Sequence, residues 1–129
     1  MLRPLNPETI RAPFARYSHG IEVAPGSRLV FCAGQLGIGP GDAAPETVEG
    51  QAERCFENIR AVLQEAGLDL SDIVRVNAYV TRREDMAGYM RVRDRMVGDP
   101  PPASTLMIVS GFTRPEFLVE VEAVAAGPA

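Results

Sequence analysis

Leu118-Val119-Glu120-Val121-Glu122-Ala123-Val124, close to the C-terminus, sets two carboxylates into an otherwise apolar run. The run reads as a strand. Side chains two residues apart in a strand point to one face, so Glu120 and Glu122 look the same way. Upstream, Pro101-Pro102-Ala103-Ser104-Thr105-Leu106-Met107-Ile108-Val109-Ser110-Gly111 reads as a second strand, joined to the first by a loop. Two carboxylates on a covered face need a partner, a shifted pKa or a chemical role.

Working back from this pair, Gly98 and Pro100 close a helix expected over 84–97, with Met86, Tyr89, Met90, Arg93, Met96 and Val97 on one stripe. Residues 73–81 form a strand. Val74, Val76, Ala78 and Val80 share the face expected under a helix, and Arg75, Asn77 and Tyr79 share the other. The clearest helix spans 47–66. Val48, Ala52, Cys55, Phe56, Ile59, Val62, Leu63 and Ala66 recur at spacings of three and four; Thr47 caps the start and Gly67 ends it. Arg28 to Gln35 is a compact apolar run, expected as a buried strand. It pairs in a hairpin with Tyr17 to Val23 through the turn Ala24-Pro25-Gly26-Ser27. The first sixteen residues read as an arm or a short edge strand.

The chain has 129 residues, enough for one domain over 1–129, with 46% hydrophobic and 23% charged residues. The net charge of -4 and pI near 5.0 argue against non-specific nucleic-acid binding. No run of membrane-spanning length and no signal-peptide core are visible, so a cytoplasmic location is expected. Cys32 and Cys55 read as small buried hydrophobes. With His19 the single histidine, a Cys/His metal site lacks ligands, and no metal is expected. The loop Gly37-Ile38-Gly39-Pro40-Gly41-Asp42 lacks the lysine of a phosphate loop.

The element order is β-β-α-β-α-β-β. It predicts an α+β fold with two helices on one face of a sheet. The other face, carrying Arg75, Asn77, Tyr79 and either Glu120 and Glu122 or their neighbours, is left unfilled. Packing such faces together in a closed homo-oligomer would bury them and create pockets between subunits.

Seven short segments, in order, resemble the RidA/YjgF family of small reactive-intermediate deaminases. They are Ala12-Pro13; Tyr17-Ser18; Phe31-Cys32-Ala33-Gly34-Gln35; Gln51 through Asn58-Ile59 to Leu63 and Ala66-Gly67; Asp72-Ile73-Val74-Arg75-Val76; Pro102-Ala103; and Val119 to Ala125. The resemblance implies a chorismate-mutase-like single domain, a mixed β-sheet with two helices on one face, assembled as a homotrimer with small-molecule clefts between subunits. It implies cofactor-free hydrolysis of an imine or enamine, with Glu120 handling the attacking water. Tyr17, Ala33, Gly34, Ser104 and Leu106 would bind the substrate. Ser104 stands where the family carries the arginine that grips a substrate carboxylate. Loss of that clamp removes roughly 2–5 kcal/mol of binding. Arg16 and Arg114 are candidates to compensate. The alternative reading is a homotrimer that binds a metabolite without turning it over.

Overall fold

The structure, a computed structural model, describes residues 2–129. Six strands and two helices follow in order: β1 (Leu2–Leu5), β2 (Gly20–Val23), β3 (Arg28–Leu36), α1 (Val48–Glu65), β4 (Ile73–Val80), α2 (Met86–Met96), β5 (Ala103–Ile108) and β6 (Val119–Gly127). Short 3-10 turns at Leu70–Asp72 and Arg83–Asp85 lead into β4 and α2. The main sheet has the order β3-β6-β4-β5. β6 runs antiparallel to both its neighbours, and β4 runs parallel to β5.

Both helices cover one face of this sheet. Thr47 begins α1 as expected, its hydroxyl accepting the Gly50 N–H at 3.0 Å. Gly67 follows the helix with φ of 75°, a conformation open to glycine without a steric penalty. Ala52, Cys55, Phe56, Ile59 and Leu63 are fully buried against Val76, Ala78 and Val80 of β4 and Val119 and Val121 of β6. Burial of each large member contributes about 1.5–3 kcal/mol. Phe56 and Tyr89 stack at 6.3 Å and tie α1 to α2.

Several expectations give way here. β2 does not pair with β3. It pairs with β1, Leu2 to Leu5 opposite Val23 to Gly20, while β3 pairs with β6. The turn at 24–27 forms, with Ser27 N–H on the Ala24 carbonyl at 3.2 Å, yet it links two sheets rather than a hairpin. β3 is not a buried strand but an edge strand: Cys32 faces the helices, while Leu29 and Phe31 remain 50% and 72% exposed. At the start of β4 the register shifts between Ile73 and Arg75. Ile73 therefore takes the covered position, and Val74 is only half-buried. Val62 turns off the apolar stripe of α1 and is 39% exposed. The last two strands are joined by a loop, as expected, and β4 lies between them in the sheet.

Candidate functional site

Strand alternation and register fix what the uncovered face displays. Across β3, β6, β4 and β5 one row reads Phe31, Val124, Arg75, Ala103. Another reads Leu36, Glu120, Tyr79, Met107. Between them lie Glu122, Asn77 and Thr105, and opposite Glu122 the register of β3 slips between Cys32 and Gln35. This bulge places two residues, Ala33 and Gly34, against one of β6.

The bulge makes a place for Glu120. A Cβ at residue 34 would stand 2.5 Å from Glu120 Oε2 and 2.9 Å from its carboxyl carbon. The glutamate side chain therefore lies across the glycine backbone, in space that any other residue would fill. Glu120 and Glu122 are both half-buried and share the face, as the alternation requires. Glu122 Oε2 accepts from Asn77 Nδ2 at 3.2 Å. Asn77 Oδ1 is buried without a partner among the described residues. Arg75 reaches Thr105 Oγ1 at 3.4 Å. Desolvation, then the charge of Glu122 and its hydrogen bond, with Glu120 adding to them, hold the Tyr79 hydroxyl above its ordinary value.

The remaining candidates lie elsewhere. Ser18 bridges to Ala103, its N–H on the Pro102 carbonyl at 3.0 Å and its hydroxyl on the Pro101 carbonyl at 2.6 Å. These bonds bring Tyr17 to the start of β5. The Tyr17 hydroxyl accepts the Phe14 N–H at 3.3 Å, and the His19 ring meets Tyr17 edge-on at 5.8 Å. Ser104 and Leu106 pair with Val76 and Ala78, so they point to the helix side of β5. One chain thus brings Ala33, Gly34 and Glu120 together on the open face, and Tyr17, Ser104 and Leu106 at the β5 edge. The two groups are separated by β4 and by the thickness of the sheet.

The two arginines weighed as replacements are engaged. Arg16 donates to the Asp94 and Gly98 carbonyls at 3.3 and 2.8 Å, closing the end of α2. Arg114 pairs with Asp42 at 3.4 Å and Glu116 at 3.1 Å, with its guanidinium over Phe117. The arginine that reaches Ser104 is Arg93, from α2, with Nη1 at 3.3 Å from the hydroxyl oxygen. Its sequence signal was a cation standing in an apolar stripe one turn after Tyr89.

The thiols take no part. Cys55 is pushed up to about 12 by burial and then by the charge of Glu120, and its Sγ donates to the Gln35 carbonyl at 3.1 Å. Burial raises Cys32 as well. Neither forms the thiolate that nucleophilic attack requires near neutral pH. His19 Nε2 is occupied by the Arg11 carbonyl at 2.7 Å. Among the described residues, no group of three or more His, Cys, Asp or Glu side chains could hold a metal ion. A groove of about 630 Å³ lies between the β1–β2 sheet and the end of β6, lined by Pro25, Gly26, Ser71, Asp72, Pro100 and Pro128 among others. It contains none of the candidate residues. The chemistry-bearing groups lie on the open face, where a hollow of about 90 Å³ is lined by Phe31, Arg75, Asn77 and Glu122.

The model of a family described as Endoribonuclease L-PSP matches residues 9–127. The chain belongs to this family, the RidA/YjgF family. A RutC family protein of Pyrococcus abyssi is 35% identical over 88% of this chain and 87% of its own. The Rid family protein YyfB of Yersinia pestis superposes with a TM-score of 0.82 at 26% identity, covering 98% of both chains. A 2-iminobutanoate/2-iminopropanoate deaminase of Dermatophagoides farinae is 25% identical over 94% of this chain and 90% of its own. The α+β fold, two helices on a mixed four-stranded sheet, is that of the family.

Proposed function

We propose that the protein hydrolyses an imine, an enamine or a related small electrophile without a cofactor, in a cleft completed by a second copy of the chain. The observation that carries this reading is the Glu120 carboxylate lying over Gly34, with its Oε2 2.5 Å from where a β-carbon would stand. A carboxylate held this way accepts a proton from water as the water oxygen adds to the imine carbon. The nitrogen gains a proton, the carbon–nitrogen bond breaks, and a ketone and ammonia leave. The name of the Dermatophagoides farinae relative describes such a deaminase.

The separation of the candidate groups supports the shared cleft. Tyr17, Ser104 and Leu106 line one edge of the chain and Gly34 and Glu120 a different face, so two copies are needed to oppose them. Exposed Phe31 and Met107, at 72% and 53%, border the open face as a surface for association as a homotrimer. Two free buried thiols suit a reducing cytoplasm.

Ammonia release from freshly generated 2-imino acids tests the reading, with Glu120→Gln beside the parent protein. The variant is expected to lose at least about 100-fold in rate; equal rates reject the assignment. The uncharged Ser104 favours a second reading, a metabolite-binding homotrimer without turnover. Its mark is a thermal shift with a small acid and no ammonia release from any imine. The description of the family model raises a ribonuclease. The acidic surface, with net charge -4, and the engaged His19 give phosphate no cluster to bind.

A further inference from the structure

After its bulge, β3 pairs with β6 over two residues only, Gln35 with Val121 and Leu36 with Glu120, before the chain leaves the sheet. A ladder that short, at the end of an edge strand, frays readily. Yet the Glu120 carboxylate lies across Gly34, so the site keeps its shape only while the backbone of the bulge stays in place. The sheet alone is a weak hold for that segment.

Helix α1 supplies a second hold from behind the sheet. Asn58 Nδ2 donates to the Ile38 carbonyl at 3.0 Å and to the Leu36 carbonyl at 3.4 Å. Both protons of its amide nitrogen are committed to these two bonds. The Ile38 N–H closes on the same Leu36 carbonyl at 2.8 Å, so the amide clasps a tight turn at the exit of β3. Between the two carbonyls the chain crosses α1 at Gly37, where a Cβ would meet Gln51 Cβ at 2.5 Å and Gln51 Cα at 2.7 Å. Only glycine permits that approach. Cys55, three residues before Asn58, reaches the Gln35 carbonyl at 3.1 Å, but a thiol is a weak donor and the amide carries the fastening. The helix is itself fixed, because Ala52, Phe56, Ile59 and Leu63 are fully buried in the core.

We propose that Asn58 is a positioning residue that acts through Gly34 and Glu120. It sets where β3 ends and so holds the glycine bed on which the carboxylate rests. The amide lies on the helix side of the sheet and the carboxylate on the open side, so Asn58 meets no substrate there. This rests on the role given to Glu120 above and extends it by placing part of the site's geometry on α1.

A double-mutant cycle on ammonia release from freshly generated 2-imino acids tests the proposal. In the parent protein, Asn58→Leu is expected to lower kcat at least about tenfold and to leave KM within about twofold. In the Glu120→Gln background the same substitution should change kcat by less than about twofold. A merely structural role would lower both backgrounds by the same factor. Asn58→Gln, which keeps the donors, should recover part of the rate. Asn58→Ser, too short to span to either carbonyl, takes the place of Asn58→Leu if that variant does not fold. NMR without substrate gives a readout independent of turnover. The Gly34 amide and the isotope-labelled Glu120 carboxyl should both shift in Asn58→Leu, while Glu22, on the separate β1–β2 sheet, stays unchanged. Equal loss in both backgrounds, or unmoved Gly34 and Glu120 signals, would overturn the proposal. Shifted signals in a protein that releases no ammonia from any imine uphold the positioning and reject the hydrolase reading alone.

Discussion

Glu120 keeps its position because residue 34 has no side chain. Gly34→Ala places a methyl 2.5 Å from the carboxylate oxygen, and the flexible end of the glutamate must swing away. Stability is expected to change by less than about 1 kcal/mol, because only a side-chain tip moves. Ammonia release, by contrast, should fall on the order of 100-fold, as misplaced catalytic groups do. Denaturant unfolding beside the kinetic assay separates the two effects. A second residue-scale consequence concerns high pH. Cys55 ionises at its ordinary 9.0 in the unfolded chain and near 12 in the folded one, so the unfolded state loses its proton first. Stability from this group is full below pH 9 and falls as pH rises toward 12. The slope is at most about 1.4 kcal/mol per pH unit. Tyr89, also raised by burial, adds the same sign above 10.0. Urea midpoints at about pH 8 and about pH 10.5 should drop for the parent protein and drop less for Cys55→Ala.

At the scale of elements, the loop ahead of β6 is fastened by one buried amide. Gln51, 1% exposed, donates to the Pro45 and Glu116 carbonyls at 2.9 and 2.8 Å and accepts the Leu118 N–H at 2.8 Å. Gln51→Leu leaves three backbone groups unpaired and is expected to cost about 2–4 kcal/mol. Hydrogen exchange at Leu118, at the entry to β6, should rise with it. α1 itself was legible, because cap, periodicity and terminal glycine agree on Thr47, the stripe and Gly67. The pairing of β2 was not. A turn signal at 24–27 states that the chain bends, but not which strand lies beside it. β3 buries Cys32 and Val30 by joining β6, and β2 finds its hydrogen bonds on β1. The inward direction of Arg93 was equally hidden, since a charged residue at helical spacing reads as a solvated face until its neighbours are known.

For the whole molecule the open sheet face is the deciding feature. Phe31 is 72% exposed and contributes little to the core, so Phe31→Glu should leave folding within about 0.5 kcal/mol of the parent. Light scattering should show the parent as a homotrimer and the variant shifted to smaller species. A monomeric parent at micromolar concentration rejects the shared cleft. Two helices on one sheet, a mixed second face and two glutamates pointing together were readable from periodicity alone, because period 2 and period 3.6 are local properties of the chain. The family followed from seven short segments in register. Which strands are neighbours, the bulge that lays Glu120 over Gly34, and the arginine behind Ser104 were decided only by the tertiary structure. Each depends on contacts between residues far apart in sequence, where burial and hydrogen-bond satisfaction across the sheet, not local propensity, select the arrangement.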